Sequence, residues 1–202
     1  MRKSPLGLVI AIIGLFFFSP ANAVDLEAAM KERVLGDPNA PVTLIEYSSL
    51  GCPHCASFHA DSLPLIKQNY IDTGKVKLVM RDFPLGGAAF AASMLARCVP
   101  EERFFGMIET IFKTQNQWGR SENPRASLIN IARLAGLSTE DANACLESRE
   151  LYGALQNQAK NGQAEHGVNS TPTFIIDGEK IVGAEDYEVF AEAIDDALAK
   201  KN

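Results

Sequence analysis

The sequence has 202 residues, enough for one domain with a sizeable core or for a domain carrying an insertion. Charged residues make up 22% of it and hydrophobic residues 47%, which excludes a disordered chain. The formal net charge is −6 and no lysine or arginine cluster is present, which argues against a nucleic-acid binder.

Arg2 and Lys3 precede an apolar run from Leu6 to Phe18, and Ala21-Asn22-Ala23 follows with the small-x-small pattern of a cleavage site. The run is shorter than the ~20 residues a membrane span needs. Residues 1–23 are therefore expected to be a signal peptide cleaved after Ala23, with an uncleaved anchor as the alternative. Loss of Arg2 and Lys3 takes the formal charge from −6 to −8, since the segment holds no acid. The expected address is a bacterial periplasm, where exported cysteines can be oxidised. All four cysteines, Cys52, Cys55, Cys98 and Cys145, lie after the signal.

Asp25 to Leu35 reads as one or two helical turns, and Gly36-Asp37-Pro38 as a turn. Val42-Thr43-Leu44-Ile45-Glu46-Tyr47 reads as a buried strand with one anomaly, Glu46, because a carboxylate in a core strand is costly unless paired. Next comes Gly51-Cys52-Pro53-His54-Cys55, then apolar residues at helical spacing, Phe58, Leu65 and Ile66. The pattern is strand, turn, and C-x-x-C at a helix N-terminus. There, unpaired backbone N–H groups and the helix dipole favour a thiolate at Cys52, and a protonated His54 would add positive charge. Pro53 suits an early helical position because it has no N–H to leave unpaired. The alternatives are half of a zinc site or a structural disulfide. Zinc wants two more ligands at close spacing, and Cys98 and Cys145 stand alone.

Pro64 should kink or reset the helix. Val76 to Met80 reads as the next strand, with Lys77 or Arg81 open as the basic partner of Glu46. From Ala88 to His166 the chain reads as helical throughout. Phe90, Met94 and Cys98 form one stripe; Phe104, Ile108, Ile111 and Phe112 form another. A helix should start from Ser121 near Pro124 and stop at Gly136, and Ser138 should cap the next. Phe112, Gln115 and Trp118 read as packing residues, and His59 and His166 as surface or packing histidines. Thr173-Phe174-Ile175-Ile176, a turn at Asp177-Gly178 and Lys180-Ile181-Val182-Gly183 read as a hairpin, followed by a closing helix from Asp186 to Ala199.

Three stretches together resemble the DsbA-like family of thioredoxin-fold thiol:disulfide oxidoreductases. They are Cys52-Pro53-His54-Cys55, the upstream Gly36-Asp37-Pro38-Asn39-Ala40-Pro41-Val42, and the downstream Gly167-Val168-Asn169-Ser170-Thr171-Pro172-Thr173. The resemblance implies an α/β thioredoxin fold with an inserted all-helical domain. Residues 24–87 would be its first part with the C-x-x-C, 88–166 the helical insertion, and 167–202 the second part with the cis-proline loop, hairpin and final helix. It also implies a cis Pro172 lying against the C-x-x-C, with the Thr171 backbone presented to a bound peptide strand. Glu46 becomes a buried acid that moves protons at the buried cysteine; the other reading is an exposed strand-end acid. Some members carry a second disulfide, so Cys98 and Cys145 are expected to pair, with two buried free thiols as the alternative.

The implied activity is introduction of disulfides into reduced, unfolded exported proteins by exchange through Cys52 and Cys55, with no cofactor and no metal. Re-oxidation would fall to a membrane quinone-linked partner resembling DsbB. Family members that isomerise disulfides usually carry an N-terminal extension for dimerisation, which is not seen here, so a monomer is expected. Gly51 and Thr171 depart from the best-known oxidases and keep an isomerase or reductase open. A thiol-based copper carrier is the reading from another class; the absence of Met- or His-rich tracts weighs against it.

Overall fold

The computed structural model describes residues 24–201, so the expected signal peptide lies outside the described residues. Among the described residues, no helix is long and apolar enough to cross a membrane.

Leu26–Met30 forms a short helix (α1), with the Asp25 carboxylate accepting from the Ala28 backbone N–H at 3.0 Å. The expected helical reading stops there. Arg33–Leu35 is a strand (β1), because these residues meet the open edge of Val76–Asp82 (β3), with Arg33 opposite Met80 and Leu35 opposite Leu78. Val42–Ser48 (β2) runs parallel to β3 in the centre. Thr173–Ile176 (β4) and Glu179–Val182 (β5) complete a five-stranded sheet in the order β1-β3-β2-β4-β5, antiparallel except for the β2–β3 pair. The β4–β5 turn places both Asp177 and Gly178 at positive φ, 48° and 91°, as a two-residue hairpin requires.

Between β2 and β3 the chain forms Pro53–Asp61 (α2), Leu63–Ile66 (α3) and a π-helical turn at Lys67–Ile71. Pro64 sits in the first turn of α3, where its missing N–H costs nothing, so it resets the helix there. Phe58 of α2 packs on Phe174 of β4 and on Phe190 of the closing helix Tyr187–Ala199, with ring centroids 4.4 and 5.2 Å apart.

Between β3 and β4 stand six helices among the described residues: Gly87–Cys98 (α4), Phe104–Lys113 (α5), Gln115–Gly119 (α6), Pro124–Leu134 (α7), Thr139–Glu147 (α8) and Arg149–His166 (α9). The closing helix is α10. Asn123, Ser138 and Ser148 cap α7, α8 and α9 through side-chain oxygens; α7 begins at Pro124 as expected, with Asn123 and not Ser121 as its cap. The single stripe expected on α4 understates its burial. Ala89 and every residue from Ala92 to Arg97 is buried, because α4 is surrounded by α5, α7, α8 and α9. A bridge between Cys98 and Cys145, with Cα atoms 6.3 Å apart, ties the end of α4 to α8.

The helical layer meets the sheet closely. A methyl group on Gly162 of α9 would lie 2.3 Å from the Tyr47 ring of β2. Glycine inside a helix is normally destabilising by about 1 kcal/mol, and here it is what lets α9 approach the strand.

Candidate active site

Strand β2 ends at Ser48, the chain turns through Ser49-Leu50-Gly51, and α2 begins at Pro53 with Cys52 as its N-cap. Cys52 has extended backbone angles, φ −88° and ψ 122°, and its carbonyl accepts from the Ala56 N–H at 3.2 Å. Its side chain therefore stands over the open N–H groups of the first turn. Pro53 and His54 are exposed, Cys52 is 9% exposed and Cys55 is fully buried one residue inside the apolar layer. Cys52 and Cys55 are both free thiols.

The two thiols are held in opposite protonation states. Cys52 is pulled down to about 5, first by the Cys55 thiol donating to it, then by Thr171 and by the backbone N–H groups of Cys55 and His54, against a burial penalty. Cys55 is pushed up by burial, by its hydrogen bond with Cys52 and by the charge of Glu46, with weaker opposing help from the Ser48 hydroxyl and the Ser49 N–H. The His54 backbone is among the groups that lower the Cys52 thiol, and its side chain is exposed.

The loop before β4 closes the other side. The Thr171–Pro172 peptide is cis, and the Cys52 thiol donates to the Thr171 carbonyl at 3.2 Å. The Thr171 hydroxyl is buried with no other hydrogen-bond partner, so it is at hand to donate when Cys52 becomes an anion.

Glu46 lies in β2 and is fully buried, so the exposed-acid reading does not hold. Its partner is neither Lys77 nor Arg81. On β3 these two align with Thr43 and Tyr47 of β2, on the face opposite Glu46, because side chains alternate along a strand. Lys77 donates to the Pro38 carbonyl at 2.7 Å and Arg81 pairs with Glu32. The partner is His59 on α2, whose Nε2 lies 3.1 and 3.0 Å from the two Glu46 oxygens. The Phe112 ring of α5 stacks on the imidazole at 4.4 Å.

His59 escaped the sequence reading, although it sits one turn after Cys55, at i+4, and so must share its helix face. Gln115 escaped too. Its side-chain amide donates to the carbonyls of Leu50 and Cys52 at 2.9 and 3.0 Å, which fastens the helical insertion to the loop bearing Cys52. Trp118 is buried packing, with its indole N–H on the Ile111 carbonyl at 2.8 Å. His166 is the last residue of α9, which Gly167 caps, and its ring lies 5.9 Å from that of Tyr47.

Fold and site together define a thioredoxin-fold protein with a dithiol centre and a helical insertion. The thioredoxin family model matches residues 28–196, and the chain belongs to the DsbA-like branch of that family. The crystal structure of Wolbachia pipientis alpha-DsbA1 superposes with a TM-score of 0.79 at 30% identity, covering 85% of this chain and 93% of that one. The oxidised form of BdbD from Bacillus subtilis shares the fold, with a TM-score of 0.75 at 24% identity over 83% of this chain and 93% of that one. A Rickettsia bellii chain named "Putative protein-disulfide oxidoreductase" is 32% identical over 170 residues, 83% of this chain. This chain spans 64% of that relative's length, a little under two thirds.

Proposed function

We propose that this protein is a thiol:disulfide oxidoreductase that works as a dithiol oxidase on reduced, unfolded exported proteins in a bacterial periplasm. The observation that carries the reading is the division of labour between the thiols: Cys52 reachable and stabilised as a thiolate, Cys55 buried and kept protonated. In the oxidised protein a substrate thiolate attacks the Cys52 sulfur. The Cys52–Cys55 bond breaks, a mixed disulfide forms at Cys52, and Cys55 leaves and takes a proton. A second substrate thiolate then attacks the substrate sulfur of the mixed disulfide. The substrate gains a disulfide, and Cys52 departs as a thiolate. Stabilising that leaving thiolate favours the reduced protein and so makes the oxidised one a strong oxidant.

Glu46 serves as proton acceptor for Cys55 in the reverse step, and the Thr171 backbone receives the substrate as an added strand. Cys98–Cys145 braces the insertion. Export with cleavage after Ala23, a monomeric state and re-oxidation by a quinone-linked membrane partner resembling DsbB complete the reading.

Oxidised protein given a reduced unfolded substrate is expected to oxidise it rapidly, and to leave a scrambled substrate unchanged in a parallel tube. Light scattering should give one chain per particle. Efficient refolding of scrambled substrate by a stable dimer would instead make it an isomerase, and Thr171 would be the first residue to re-examine.

A further inference from the structure

We infer that His59 is the proton-exchanging partner of the buried cysteine: the Glu46–His59 pair takes up the Cys55 proton as a unit, and the imidazole trades it with solvent. The inference rests on the oxidoreductase reading above and assigns a residue to it.

The geometry forces the question of how a proton leaves. Cys55 and Glu46 are both fully buried, so a proton released by the thiol has no direct way out through either. His59 is bonded to both Glu46 oxygens, and its side chain keeps 7% exposure where that of Glu46 has none. It is the member of the pair that reaches water. A carboxylate has no proton to donate, so Nε2 carries the hydrogen in that contact, and Nδ1 is the nitrogen left to accept one.

Charge is conserved when the pair takes the proton, and it is exposure that sets the pair apart from the carboxylate alone. With Cys55 as thiol, the cluster holds one negative charge, on Glu46. When Cys55 ionises to attack a mixed disulfide at Cys52, its S–H bond breaks and an N–H bond forms on the imidazole. The pair becomes imidazolium–carboxylate beside the thiolate, and the net charge of the cluster is again minus one. The net charge of the apolar layer is unchanged, and the imidazolium forms already bonded to both Glu46 oxygens, so it is not left unpaired there. The thiolate sulfur then bonds to Cys52, the old Cys52–S bond breaks, and the leaving thiolate carries the electron pair away.

The surroundings leave the imidazole to this role. Glu46 faces it from β2, and Cys55 lies one turn before it on α2. From α5 it meets Phe112, while Glu109 and Lys113 of that helix pair with each other at 2.6 Å in solvent. α3, Leu63–Ile66, carries no titratable side chain.

The test uses the full reduced protein with a nitrothiobenzoate group placed on Cys52 by disulfide exchange, and follows release of the coloured thiolate by Cys55. In His59→Gln, which keeps a donor to Glu46 but cannot carry a proton, release at neutral pH is expected to slow roughly 10- to 100-fold. Glu46→Gln/His59→Gln should be no slower than Glu46→Gln, since the two act as a unit. In His59→Ala, free imidazole in the buffer should restore part of the rate. A wild-type rate in His59→Gln, or additive losses in the double variant, would overturn the assignment. Should His59→Gln not fold, His59→Asn carries the same readouts. A wild-type adduct that releases nothing would instead refute the oxidoreductase reading itself.

Discussion

Arg97→Ala is expected to destabilise the protein by about 3–5 kcal/mol, measured by chemical denaturation. Arg97 is fully enclosed, and its Nε donates to Asp82 Oδ2 at 2.7 Å at the end of β3. Its other nitrogens donate to the carbonyls of Lys31 and Met80 at 3.0 and 3.4 Å, and its guanidinium lies 5.2 Å from the Phe104 ring centre. Arg33 covers the same ring at 5.3 Å and donates to the Arg97 carbonyl at 3.3 Å. One side chain thus joins the chain after α1, the end of β3, α4 and the start of α5. Truncation leaves Asp82 ionised in an apolar layer, with one oxygen already without a partner. Arg97→Met combined with Asp82→Leu should lose much less, because both charges go together. A loss below about 1 kcal/mol for Arg97→Ala would mean that water reaches Asp82.

Cys55→Ala is expected to lower catalytic oxidation by on the order of 10⁴ or more, as removal of a reacting group does. Without Cys55 no internal disulfide can form, and Cys98 and Cys145 are bonded to each other and cannot substitute. Cys52 stays at the N-cap of α2 and stays reactive, so the variant should accumulate as a mixed disulfide with substrate. Mass spectrometry of unreduced protein measures that adduct. Sustained turnover without it would mean that another thiol performs the exchange.

What the sequence made legible is local. The strand, turn and C-x-x-C helix follow from neighbouring residues, as do the Pro64 reset, the Asp177-Gly178 turn and the Ser138 cap. The partners of the site lie far apart in sequence and are chosen by geometry. Lys77 and Arg81 have the right sign for Glu46 but stand on the wrong face of β3, which only the β2–β3 register reveals. Helical spacing from Cys55 could have found His59, since one turn separates them, but a lone histidine carries little signal by itself. Gln115 reads as packing because its targets are backbone carbonyls, which no side-chain pattern announces. The charge expected of His54 is joined by its backbone N–H, a contribution that α2 fixes in place and that no side-chain pattern announces. The edge strand β1 is equally tertiary: Arg33-Val34-Leu35 becomes a strand because β3 offers it an unpaired edge.

The central claim is that the fold holds Cys52 as a thiolate far below its ordinary range. A depressed value stabilises the reduced protein fully above the unfolded thiol's ~8.5, and that stabilisation is lost as pH falls through the folded value. The stability gap between reduced and oxidised protein should therefore narrow steadily between those limits and stop changing below them. The most direct measurement is the thiolate absorbance of the reduced protein across pH, with the rate of Cys52 alkylation followed alongside. The structure predicts a single midpoint at about 5, carried by Cys52, with Cys55 silent through neutral pH; a midpoint near the ~8.5 of a free cysteine, or a first reaction at Cys55, would contradict it.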